Sequence, residues 1–133
     1  MDYCKGKIAK LLVDYFDNDF RRINHALEVL RHAEKIAEDK DGYDKDVLVA
    51  SALLHDVGIK ASEEIHGYNN GKMQELYGPA VAAELLGRLD FPGEKITRVC
   101  EIIGNHHSPS RYDYVELKIL KEADRIVNKQ EGD

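Results

Sequence analysis

Tryptophan is absent from this 133-residue chain, and cysteine occurs only at Cys4 and Cys100. The two cysteines have neither CxxC spacing nor the numbers for a disulfide framework, so their usage fits a reducing cytoplasm. No apolar run approaches the ~20 residues that cross a bilayer, and the charged start of the chain carries no signal-peptide core. A cytoplasmic protein without a membrane partner is therefore expected. An excess of positive charge is also missing, with 19 Lys+Arg against 25 Asp+Glu and a formal charge of −6. Nucleic-acid polymers are disfavoured as partners, because they call for a clustered basic face. Strand signals, internal repeats, low-complexity tracts and linkers are lacking too.

What remains is 43% hydrophobic and 33% charged residues, the mixture of a soluble globular domain. A chain this long buries roughly two-thirds of its unfolded surface, and one domain over 1–133 is the expectation. Its punctuation is helical. Apolar positions Ala26, Val29, Leu30, Ala33, Ile36 and Ala37 follow a helical period between about Asp19 and Asp39. Asp41-Gly42 stops that helix and Asp44 can cap the next, in which Val47 to Leu54 is apolar apart from Ser51. Residues 62–72 read as a loop or short irregular helix, and Phe91-Pro92-Gly93 as a break. With helices also over about 7–16, 74–89, 94–105 and 114–129, the prediction is all-α: a single compact bundle of five to six main helices.

Six histidines in an acidic chain call for an explanation. On the last helix, Leu117, Leu120, Asp124 and Val127 step along one face, which points Asp124 into the core. His55-Asp56 ends the most apolar helix, and His25 lies at the margin of the second helix's apolar face. A buried carboxylate costs several kcal/mol unless paired or metal-bound. Each of these residues alone has an ordinary structural explanation, such as a satisfied core imidazole or a helix cap. Together, two imidazoles and two carboxylates make a mixed N/O donor set, and a divalent cation would offset the burial of both acids.

The order His25, His55-Asp56, Asp124, in the contexts INHALEVLRHAEKIAE, ASALLHDVGIK and ILKEADRIVN, resembles the HD-domain superfamily of metal-dependent phosphohydrolases. The resemblance spans about residues 20–130. It implies an all-α fold, one metal held by His25, His55, Asp56 and Asp124, and hydrolysis of a nucleotide or other small phosphate ester. A divalent ion would lower the pKa of bound water and deliver hydroxide to phosphorus at neutral pH. It would also let an acidic protein bind an anionic substrate. Two histidines disfavour a site for Mg²⁺ alone, and four protein ligands suit a six-coordinate ion. Mn²⁺ or Fe²⁺ is preferred, with Ni²⁺, Co²⁺ or Zn²⁺ as alternatives.

Binuclear members of that superfamily add a His-His pair, and IIGNHHSPS supplies His106-His107 at the corresponding place. A further histidine of their pattern would fall in MQELYGPAVAAELL, where there is none. Glu75, or His66 swinging in from the preceding loop, could complete a second site with His106 and His107. The alternative for the pair is a helix C-terminus, and for His66 a solvated loop. His32, about two turns beyond His25, is too far for a shared ion. Some relatives carry a catalytic lysine in HDxGK, whereas this chain reads HDVGIK, so Lys60 stands one residue late. Asp56, Lys60, His106 and His107 are the catalytic candidates, and Arg111 and Lys72 possible phosphate contacts. The competing expectation is a metal- or nucleotide-binding regulatory module with little or no turnover.

Overall fold

A computed structural model describes residues 3–132. Among them lie seven helices: α1 (Tyr3–Phe16), α2 (Phe20–Ala37), α3 (Lys45–Leu54), α4 (Gly58–His66), α5 (Gly71–Gly87), α6 (Gly93–Ile103) and α7 (Val115–Gln130). The all-α bundle expected from the periodicity is what forms. The seventh helix comes from the segment read as loop or irregular helix: α4 reaches His66, and only residues 67–70 separate it from α5.

Side-chain caps set three of the helix starts. Asp19 accepts from the Arg22 amide, Asp44 from Val47 and Asn70 from Met73, each satisfying a first-turn N–H without a helical partner. Gly67 closes α4 in the left-handed region at φ 81°, where a Cβ would be strained. Helix α5 runs straight through Pro79, which removes one amide donor from its ladder. The end of α6 packs beside that gap. Cys100 Sγ lies 3.2 Å from the Pro79 carbonyl, and a Cβ on Gly104 would come within 3.3 Å of the Pro79 ring.

Helix α3 is the axis of the molecule. Every residue from Val47 to Leu54 is buried, against α1, α2, α6 and α7. At its start, the fully buried Glu116 accepts from the Asp44 amide at 2.6 Å and from Arg98 Nε and Nη2 at 3.1 and 2.9 Å. This carboxylate ties α7 and α6 to the cap of α3. At its other end α3 stops at Leu54, and a three-residue turn, His55 to Val57, leads into α4. Gly58 follows, in close approach to α5: a Cβ there would lie 2.7 Å from both the Gln74 carbonyl and the Gly78 amide. Its backbone is an ordinary α4 start, and its missing side chain lets two helices touch.

Candidate metal centre

The turn between α3 and α4 delivers His55 and Asp56 to one point in the interior, and α2 and α7 supply His25 and Asp124 opposite. His25 Nε2 stands 3.1 Å from Asp124 Oδ1 and 3.4 Å from Asp56 Oδ2. His55 Nε2 stands 3.3 Å from the same two oxygens. Donors at adjacent corners of an ion with bonds of about 2.0–2.2 Å are about 3 Å apart, so these spacings match one coordination shell.

Helix ends select the ring nitrogens. His55 Nδ1 donates to the Ala52 carbonyl at 2.8 Å, and His106 Nδ1 donates to the Ile103 carbonyl at 2.6 Å. Each imidazole folds back onto a carbonyl of the helix it follows, which has no helical donor of its own. Nε2 is thereby left facing the cluster in both. Both Nε2 atoms are fully buried and hydrogen-bonded to nothing, although His55 Nε2 has two carboxylate oxygens 3.3 Å away. Those oxygens lie off the hydrogen-bonding direction of the ring, so the donor atoms aim at a common space between them. An orphaned buried acceptor is costly. A divalent cation would satisfy both nitrogens and both acids together, so the residues fit such an ion.

On α2, His25 Nδ1 donates to Glu131 at 3.0 and 3.1 Å, which turns its Nε2 inward. Glu131 was missed in the sequence. It stands seven residues after Asp124, as the C-cap just past α7, and that two-turn spacing was the available signal.

Charge coupling within the cluster is strong. Burial alone would lower His25, but Asp124, Asp56 and Glu131 outweigh it and raise the imidazole above its ordinary value. The same contest at His55, with Asp56 and Asp124 as the counter-charges, ends well above it. Burial opposes ionisation of Asp56 and Asp124, yet the surrounding histidines hold both carboxyls well below the usual range.

The structure brings His106 and His107 to this centre and leaves other candidates elsewhere. His106 Nε2 approaches Asp56 Oδ1 at 3.8 Å, and ligand atoms of Asp56, His106 and His107 form a second grouping that could hold an ion. Burial, then the neighbouring His106, hold His107 below the ordinary imidazole value. Its Nε2 bonds Gln74 Oε1, a contact the sequence did not suggest. Glu75 does not present a free carboxylate as expected: its two oxygens accept from the His107 amide at 2.9 Å and Ser108 Oγ at 2.6 Å, holding the turn that carries the histidine pair. His66 bonds the Tyr77 hydroxyl at 2.7 Å on the surface and does not swing in. Lys60 is likewise drawn away. Its Nζ donates to the Tyr15 carbonyl at 2.9 Å and lies over the Tyr15 ring, because the end of α1 offers a carbonyl without a helical donor. Arg111 bonds the Gly104 carbonyl, and His32 lies beside Arg31 at the surface.

Above His25 and Asp56 opens a cleft of about 390 Å³ between the start of α2, the start of α4 and the end of α7. Comparison with known proteins shows the family of the chain. A family model described as HD domain matches residues 22–129. The chain belongs to the HD domain family. It is 26% identical over 105 residues to an uncharacterized protein of Clostridium beijerinckii, covering 78% of this chain and 62% of that one. It also resembles the crystal structure of a predicted HD superfamily hydrolase from an uncultured Thermotogales bacterium. That likeness has a TM-score of 0.70 and 26% identity over 90% of this chain and 65% of the other. The chain thus spans less than two-thirds of the length of either relative. Among the described residues no helix is long and apolar enough to cross a membrane.

Proposed function

We propose that this HD domain is a metal-dependent phosphohydrolase for a small phosphate ester, a class that includes nucleotides, with His25, His55, Asp56 and Asp124 as ligands. The observation carrying this reading is the His55 ring: fixed through Nδ1 by Ala52, fully buried, with Nε2 unpaired and aimed between two carboxylates. A divalent ion, Mn²⁺ or Fe²⁺ by preference, supplies Lewis acidity and acidifies bound water. The chain's own residues do the rest. Glu131 holds His25 in its ligating orientation, and the helix-end carbonyls do so for His55 and His106. His106 and His107, beside Asp56, are placed to hold or pass a proton. In the net reaction a water oxygen joins phosphorus, the ester P–O bond breaks, and a water proton ends on the departing alcohol.

A second reading, a binding module with little turnover, is favoured by the engagement of Lys60 with α1. Two measurements separate them. Elemental analysis should find at least about one transition-metal ion per chain, lost in Asp56→Ala. Phosphate release from a panel of nucleotides and phosphomonoesters with Mn²⁺ should then be positive. Metal-loaded protein inert across the panel would favour the binding module, and protein that takes up no metal would sink the phosphohydrolase reading and a metal-binding module alike, leaving only a nucleotide-binding one.

A further inference from the structure

The cleft over His25 and Asp56 carries its own record of what it accepts. Cations and acids around it are mostly paired with each other. Arg22 is held by Asp19 at 2.9 Å and by both oxygens of Glu63, and Glu131 is held by His25. Two lining side chains have no hydrogen-bond or ionic partner among the described residues: Arg21 and Asn128. Arg21 precedes His25 by four residues and Asn128 follows Asp124 by four, so each stands one helical turn, about 6 Å, from a proposed ligand. A guanidinium offers five donors in a fork that fits phosphate oxygens, and a primary amide offers two donors and an acceptor, the complement of a hydroxyl group.

The walls are as informative as the free groups. Ile59 is the one apolar residue among the eight that line the cleft, and no Phe, Tyr or Trp lines it among the described residues. Nucleobase sites generally offer a flat apolar or aromatic surface for stacking. Apart from the His25 ring, itself a proposed ligand, this cleft has none, and about 390 Å³ is near the small end of ligand pockets. Phe20, next to Arg21, is exposed and outside the lining.

We infer that the cleft selects a small hydroxyl-rich phosphomonoester, a sugar or polyol phosphate rather than a nucleotide, with Arg21 gripping the phosphate and Asn128 reading a hydroxyl. This rests on the phosphohydrolase reading and sharpens its substrate class. Arg21 is exposed and unpaired, so its substitution leaves the fold intact, which circular dichroism checks.

The test uses Mn²⁺-loaded protein. Calorimetry with inorganic phosphate should give a Kd weakened at least about tenfold in Arg21→Met and less in Arg21→Lys, which keeps the charge but loses the fork. Asn128→Leu should leave that Kd unchanged while lowering affinity and kcat/KM for ribose 5-phosphate by about tenfold. Wild-type kcat/KM should favour ribose 5-phosphate and glycerol phosphate over AMP by at least about tenfold. Equal or better use of AMP, or an unchanged phosphate Kd in Arg21→Met, would overturn the inference while leaving the phosphohydrolase reading in place. If nothing is hydrolysed, that reading fails, and the calorimetric comparison of ribose 5-phosphate with AMP still decides the selectivity.

Discussion

Removing or adding the metal should change not only how stable the protein is but how its stability depends on pH. Without a cation, charge pairing between imidazoles and carboxyls holds the cluster: His25 and His55 are raised above 6.5, and Asp56 and Asp124 lie below 3.8. For a raised group, the stabilisation is complete below the unfolded value and is lost as pH climbs through the folded one. For a lowered carboxyl it is complete above the unfolded value and is lost on acidification. The metal-free protein should therefore be most stable between about pH 4 and 6.5 and weaken toward pH 8.

A cation needs the same Nε2 lone pairs that the protons occupy, so its affinity should run the other way. With Mn²⁺ at about 100 times its Kd near pH 8, mass action stabilises by about 2.7 kcal/mol. For a chain of this size each kcal/mol moves Tm by about 3–5 °C, giving a rise of about 8–14 °C. Each pH unit below the imidazole values costs up to tenfold in affinity per displaced proton. From pH 8 to pH 6 a single displaced proton then brings the ion down to about its Kd, so the rise shrinks to about 1–2 °C, and a second displaced proton shrinks it further. Differential scanning calorimetry at about pH 8 and pH 6, with Mn²⁺ or with chelator, measures all four values. An equal metal-induced rise at both pH values, or a metal-free Tm that increases from pH 6 to 8, would refute the coupling.

Other consequences are local. Glu131→Ala should weaken metal binding about 10–100-fold by freeing the His25 ring, with Glu131→Gln in between; competitive chelator titration reads this. Glu116→Ala leaves the Asp44 amide and Arg98 without their acceptor, and chemical denaturation should show a loss of about 3 kcal/mol, the lower end for a broken buried pair because Arg98 is partly exposed. Gly58→Ala forces a Cβ to within 2.7 Å of two backbone atoms of α5, which cannot rotate away. It should cost about 1–3 kcal/mol and lower metal uptake, since α4 begins two residues after Asp56.

The helices were legible because their causes are local. The cap at Asp44, the apolar period of α2 and the unbroken run in α3 each act within a few residues. The inward row Leu117, Leu120, Asp124, Val127 exposed the central carboxylate for the same reason: one odd polar residue stands out on an apolar stripe. Illegible were the residues whose roles depend on what another helix brings. Lys60 lies close in sequence to the HD pair, but the end of α1, some 45 residues earlier, captures its ammonium. Glu75 looked like a ligand by type, and the turn after α6 consumes both its oxygens. Glu116 sits beside the apolar stripe of α7 as an ordinary first-turn acid, and only the approach of Arg98 and the Asp44 amide makes it a buried tie.

Charge makes the last connection. A total of −6 speaks against anionic ligands only if the acids are free to act at a distance. Around the cleft they are not: Asp19 and Glu63 face Arg22, Glu131 faces His25, and Asp56 and Asp124 face the histidines. At ordinary ionic strength, acids more than about 8–10 Å away are screened, so the field at the cleft is set by its lining. There, among the described residues, the unpaired charge is the Arg21 guanidinium, to which a divalent ion would add. An acidic chain can therefore present a locally positive site, and raising salt should weaken phosphate binding to the Mn²⁺-loaded protein less in Arg21→Met than in wild type. If the two salt dependences coincide, Arg21 does not set the field at the cleft.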